Sequence, residues 1–177
     1  MIMFDNNLKS MRGFTLVELL VSIVIVAILS TIGLLVYSNF LRDARDGRRQ
    51  SDLKIIQAGL EQYYADQFFY PDTVTGSFPF GTGALTSSVG SKSSPPSPVK
   101  TYMNLVPADP QSTNAQYCYK GLISGSTCDG VANTNCDNDT NICVIYCLYA
   151  KLENPPTPVT NYSCGGVTNY NLKVTLP

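Results

Sequence analysis

The chain has 177 residues, 44% of them hydrophobic, and a formal net charge of −1. That length fits one domain, and the near-neutral balance gives no electrostatic case for a nucleic-acid partner. Histidine is absent, which excludes Ser-His and Cys-His nucleophilic machinery, and no P-loop or dinucleotide glycine motif is present, so the residues describe no enzyme.

The N-terminus is unusual. A polar start with Lys9 and Arg12 leads into Gly13, and residues 19–37 (LLVSIVIVAILSTIGLLVY) then run 19 positions without a charge. As a helix this run covers roughly 28 Å, enough for a hydrocarbon core of about 30 Å. Basic residues beside a membrane span stay cytoplasmic, which places the first dozen residues inside and the chain after about residue 37 outside. An ordinary secretory signal has its small-residue cleavage site after the apolar core. Here Gly13 precedes the core. Cutting after it removes a leader of residues 1–13 and leaves the apolar helix on the mature chain.

The string Gly13-Phe14-Thr15-Leu16-Val17-Glu18 with its apolar continuation resembles the class III signal of type IV pilins and type II secretion pseudopilins. The resemblance implies cleavage after Gly13 by a membrane aspartyl peptidase, the prepilin peptidase, and methylation of the new amine on Phe14. It also implies a single-pass cytoplasmic (inner) membrane protein with an extracytoplasmic C-terminus. That protein polymerises into a helical homopolymer, either an extracellular pilus or a periplasmic pseudopilus. An inner-membrane assembly platform and an assembly ATPase do the work, and no nucleic acid is required. Glu18 needs a physical reason, because a carboxylate within an apolar segment costs about 2.5–3.5 kcal/mol. The family supplies one partner, the N-terminal amine of a neighbouring subunit, which makes Glu18 an assembly residue. The other reading places Glu18 in the headgroup layer, five residues into the mature chain.

The helix is predicted to continue from residue 14 to about residue 66, roughly 80 Å. Residues 14–37 are its transmembrane or filament-core half and residues 38–70 its amphipathic half. Leu53, Ile56, Leu60 and Tyr63 or Tyr64 fall on one helical stripe. Arg42, Asp43, Arg45, Asp46, Arg48, Arg49, Asp52 and Lys54 supply both signs of charge on the remaining surface. That alternation predicts a solvated, paired face rather than a nucleic-acid or anionic-lipid site. The apolar run lacks the proline that many pilins carry. It has only Gly33, which weakens a helix by up to about 1 kcal/mol. Residues 42–71 resemble the helix that follows the membrane segment in major pilins and pseudopilins, and Pro71 ends it.

Residues 71–110 read as a variable loop, with little reason for regular structure between residues 73 and 98, where glycine, serine and Pro95-Pro96-Ser97-Pro98 dominate. The segment YMNLVPADP, residues 102–110, resembles the turn before the sheet of major pseudopilins. Strands are predicted at residues 115–122, 142–151 and 170–176, within a cysteine-rich β head of residues 111–177. Both faces of 142–151 are apolar, so that strand is central. The fold class is α+β: a long N-terminal helix on a small antiparallel sheet, the pilin fold.

Cys118, Cys128, Cys136, Cys143, Cys147 and Cys164 all lie in the exported part, where disulfides persist. Six cysteines allow 15 pairings. Cys128 with Cys136 would close the polar loop 129–135. Cys143 and Cys147 share a strand face and so pair elsewhere, with Cys118 and Cys164 the available partners. The run Asp137-Asn138-Asp139-Thr140-Asn141 begins like a calcium loop, yet Ile142 and Leu148 stand where an EF-hand has its glycine and glutamate. Major pseudopilins hold calcium in a head loop, so the resemblance makes Asp129, Asp137 and Asp139 a candidate calcium set. An exposed polar turn is the plain reading, and no other cofactor is implied.

The sequence thus reads as a structural subunit, a major pilin of a type IV pilus-like filament, with the polar loop and the cysteines leaning toward a surface pilus. The alternatives are a type II secretion pseudopilin acting in protein export, a minor pilin or membrane-tethered adhesin, and a DNA-uptake binding module.

Overall fold

A computed structural model describes residues 13–72, 78–90, 97–111, 117–128, 136–164 and 167–175. By internal contacts the chain divides into two units, Met1–Leu41 and Arg42–Pro177. A single helix, α1 (Leu16–Gln67), runs through both.

In the first unit every described side chain of α1 is exposed, including Leu20, Val24, Ile28 and Leu29. Two of the hydroxyls within the apolar run bond to their own helix: Ser22 Oγ donates to the Glu18 carbonyl at 2.7 Å and Thr31 Oγ1 to the Ala27 carbonyl at 2.9 Å. Those two hydroxyls then need no water, which suits a helix in a hydrocarbon or protein surround.

In the second unit α1 buries the predicted stripe. Leu53, Ile56, Leu60 and Tyr63 are fully buried, whereas Tyr64 is only partly so. Gly59 lies between them because Met103 passes close; a Cβ there would meet the Met103 methyl at 2.6 Å. The helix stops at Phe68, whose φ of 62° reverses the backbone, three residues before the predicted stop at Pro71. Phe69 and Tyr70 then turn into the core.

The sheet has the order β3-β4-β7, all antiparallel, from Tyr117–Leu122, Ile145–Ala150 and Leu172–Thr175. All three predicted strands are present, each slightly shorter than read, and β4 is central as its two apolar faces demanded. Tyr146, Leu148 and Ala150 join Tyr117 and Tyr119 in the main core with α1, while Cys147 and Tyr149 face a second core with Leu122, Cys164 and Tyr170. A short hairpin of β5 (Tyr162–Cys164) and β6 (Val167–Tyr170) contributes to that second core. The described residues of 71–110 include regular structure that its composition did not suggest. Leu85–Thr86 (β1) pairs with Thr101–Met103 (β2), and Leu85 and Val106 are fully buried. Burial of those two side chains outweighs the high glycine and serine content around them.

Candidate processing and assembly site

Gly13, Phe14 and Thr15 precede α1, and Thr15 caps it: its Oγ1 accepts the Glu18 N–H at 3.2 Å and its carbonyl accepts the Leu19 N–H at 3.2 Å. This is the Thr-x-x-Glu pattern of a helix start, which also places the Glu18 carboxylate in the first turn, where the helix dipole favours a negative charge. Phe14 and Leu16 are 76% and 79% exposed. Gly13 has open space around its α-carbon, with nothing within 4 Å of where a side chain would start. The junction Gly13–Phe14 is therefore accessible and lies outside the helix.

A second charged constellation was missed in the sequence. Arg49 is fully buried and its guanidinium is forked among three carboxylates: Nε donates to Asp109 Oδ2 at 2.7 Å, Nη1 to Asp46 Oδ1 at 2.7 Å and Nη1 to Glu153 Oε1 at 3.0 Å. Arg45 adds a two-point contact to Glu153 at 2.6 and 2.5 Å. Asp46 also accepts the backbone N–H of Glu153 and of Asn154. Burial works against the Arg49 charge, but Asp109, Asp46 and Glu153 outweigh it and hold the guanidinium firmly protonated. The network ties α1 to the turn before β3 and to the chain after β4. The expectation of a solvated helix face is thus corrected: Asp46, Arg49 and Asp52 are paired but buried. The signal was legible, because Arg49 sits four residues before Leu53 and seven before Ile56, on the core stripe itself.

This network gives a pH prediction. The Arg45 hydrogen bond, helped by Arg49 and opposed by desolvation, holds the Glu153 carboxyl down at about 2 instead of the usual 4.5. A depressed carboxylate stabilises the fold above its unfolded pKa, and that contribution disappears as pH falls from about 4.5 toward 2. Glu153 is 21% exposed, so the expected loss is on the order of 2 kcal/mol. Melting curves of the detergent-solubilised protein should show it, and the Glu153→Gln variant should show a flatter acid limb.

The prokaryotic N-terminal methylation motif matches residues 8–34. Type II secretion system core protein G of Klebsiella michiganensis is 32% identical over 141 residues, which span 73% of this chain and 92% of that protein. The chain belongs to the core protein G family, the major pseudopilins. Core protein G of Klebsiella pneumoniae is 30% identical over 142 residues, 73% of this chain and 94% of that one. The Pseudomonas aeruginosa protein is 29% identical over 117 residues, 64% and 77% of the two chains. No solved structure matches significantly. Kinship with core protein G favours the pseudopilin alternative over the surface pilus toward which the sequence leaned. Disulfides stabilise a head in any oxidising compartment, periplasm or surface, so the cysteines never discriminated between the two.

In this pseudopilin the six cysteines form Cys118–Cys164, Cys128–Cys147 and Cys136–Cys143. The expected Cys128–Cys136 closure is wrong, as is the pairing of Cys143 and Cys147 with Cys118 and Cys164. Cys143 lies before β4 rather than in it, on the helix side of the sheet, while Cys147 points to the opposite face. The Cys136–Cys143 loop encloses Asn138, which is buried; its Nδ2 donates to the carbonyls of Tyr70 at 2.8 Å and Gly90 at 2.7 Å, and its Oδ1 accepts the Cys143 N–H at 2.9 Å. Gly90 is required there, with φ of 56° and the Asp72 nitrogen 2.4 Å from any added Cβ. Of the candidate calcium set, Asp129 lies outside the described residues. Asp137 Oδ1 accepts the N–H groups of Asp139, Thr140 and Asn141, and those of Asn141 and Thr140 chiefly lower its pKa. Among the described residues no three His, Cys, Asp or Glu side chains converge as metal ligands.

Proposed function

We propose that the chain is the major structural subunit of a type II secretion pseudopilus, anchored by its apolar helix until it joins the filament. The observation that carries this reading is similarity to core protein G across nearly the whole length of the Klebsiella relatives. In this reading a prepilin peptidase removes residues 1–13 and the Phe14 amine is methylated. An inner-membrane platform and a separate ATPase then transfer the helix from lipid to a polymer core made of copies of the same chain. The exposed apolar surface of residues 14–41 is far larger than a soluble monomer tolerates. Lipid covers it first and neighbouring helices cover it afterwards. The helix is long and apolar enough for both roles.

The experiment is mass spectrometry of the mature N-terminus. The expected species begins at methylated Phe14; a protein from cells that begins at Met1, or that has lost residues 14–37, would overturn the reading. Gly13→Asp puts a charged side chain at the scissile position and should leave the full precursor uncleaved, visible as a slower band on a gel. Abundance separates a major subunit from a minor pilin or tethered adhesin, since only the first dominates sheared or overexpressed filaments.

A further inference from the structure

The second unit contains a cavity of about 310 Å³ lined by Arg42, Arg49, Gln111, Lys151, Leu152 and Glu153. Its charges are not equivalent. Arg49 and Glu153 are bound to each other and to the network described above. The other nearby acids are also engaged: Asp46 by Arg49 and two backbone amides, Asp109 by Arg49, and Asp43 by the Asn154 amide. Arg42 and Lys151 are exposed and have no ion pair among the described residues. Two cations with no ion pair among the described residues therefore line a polar cavity whose one acid, Glu153, is already bound to Arg45 and Arg49.

Arg42 also has a defined place along α1. It follows Leu41, the last residue of the exposed apolar stretch. From Glu18 to Arg42 the helix advances 24 residues, roughly 36 Å. A hydrocarbon core is about 30 Å thick, and about 40–45 Å with its headgroups. Residues 19–41 carry no charge, so Arg42 is the first charged side chain on the far side of a span long enough to cross the hydrocarbon core, at the level of the headgroup phosphates.

The geometry points to a binding site for the headgroup phosphate of an anionic phospholipid, held between Arg42 and Lys151 in the membrane-inserted subunit. Arg42 offers a planar fork for two phosphate oxygens, and Lys151 a compact charge. The inference rests on residues 14–41 as a membrane helix but not on filament formation, so a chain that fails to polymerise still tests it.

The experiment uses the full-length protein in neutral detergent, titrated with phosphatidylglycerol and observed by native mass spectrometry. Wild type should retain the lipid. Arg42→Gln with Lys151→Gln should weaken retention roughly thirtyfold, about 2 kcal/mol, from two surface cations. The charge-preserving pair Arg42→Lys with Lys151→Arg should keep most of the binding and guards against misfolding. Arg48→Gln with Lys54→Gln removes two basic residues of the same helix outside the cavity and should change little. Equal retention by Arg42→Gln/Lys151→Gln, or an equal loss in Arg48→Gln/Lys54→Gln, would overturn the site. Binding of inorganic phosphate without retention of the lipid would also overturn it, assigning the cavity to a free anion.

Discussion

Glu18→Val is expected to be processed normally, to insert into the membrane at least as well as wild type, and to lose at least nine-tenths of its filament yield. The two halves of that result have opposite signs for one physical reason. In lipid the carboxylate is a liability of about 2.5–3.5 kcal/mol, so valine eases insertion. In a polymer core, a carboxylate facing the amine of the next subunit shares its desolvation with an opposite charge, and removing one leaves the other stranded, at a cost of about 3–5 kcal/mol. Summed over subunits, a penalty of that size stops growth, since each 1.4 kcal/mol is about tenfold in an addition constant. The structure adds a geometric element: Thr15 caps α1 through the Glu18 N–H and fixes Glu18 in the first turn. Thr15→Val should therefore lower assembly too, though by less, because a lost cap costs about 1 kcal/mol. Mature N-termini and sheared filaments measured on the same cells separate processing from polymerisation. Wild-type filament yield from Glu18→Val would sink the register role and leave Glu18 as a headgroup residue.

The parts of this fold that were legible in the sequence are those set by periodicity. The apolar run, the stripe from Leu53 to Tyr63 and the three strands of the sheet each follow from one repeat, 3.6 or 2, read over many residues. What escaped was set by single side chains meeting across long separations. The Cys136–Cys143 loop depends on Asn138 reaching Tyr70 and Gly90, 68 and 48 residues away. No local pattern encodes which carbonyls a buried amide will find. The cysteine pairing failed for a related reason. Cys143 and Cys147 were given one strand face by counting, but β4 begins only at Ile145, so the alternation did not apply to Cys143. Phe68 shows the same limit at a helix end. A phenylalanine with positive φ is uncommon, and composition pointed to Pro71 instead. At the N-terminal motif the reverse holds. Gly13, Phe14 and Glu18 stand out in the linear sequence, where no fold is needed to read them, and the structure adds the Thr15 cap.

Arg49→Ala is expected to destabilise the second unit by about 3–5 kcal/mol and to lower its melting temperature by roughly 10–15 °C. The reason lies in what remains. Asp46, Asp109 and Glu153 are buried or nearly so, and all three lose the guanidinium that holds them together. Three carboxylates in one poorly solvated place repel each other, and leaving them without their shared cation is costly. Arg49→Lys retains the charge but not the fork that satisfies Asp109 and Asp46 at once, so an intermediate loss is expected. Arg48 is the control: it lies one residue earlier on the same helix, is 66% exposed, and contacts Asp52 at 3.9 Å. Arg48→Ala should cost no more than about 1 kcal/mol. The contrast between adjacent arginines distinguishes a buried network from general surface charge. Lowering the pH from about 4.5 toward 2 should narrow it, because wild type then loses, as Glu153 protonates, an Arg49–Glu153 ion pair that the variant already lacks. If Arg49→Ala melted within two or three degrees of Arg48→Ala at neutral pH, the network would be an ornament of the fold and not what clasps α1 to the turn before β3 and the chain after β4.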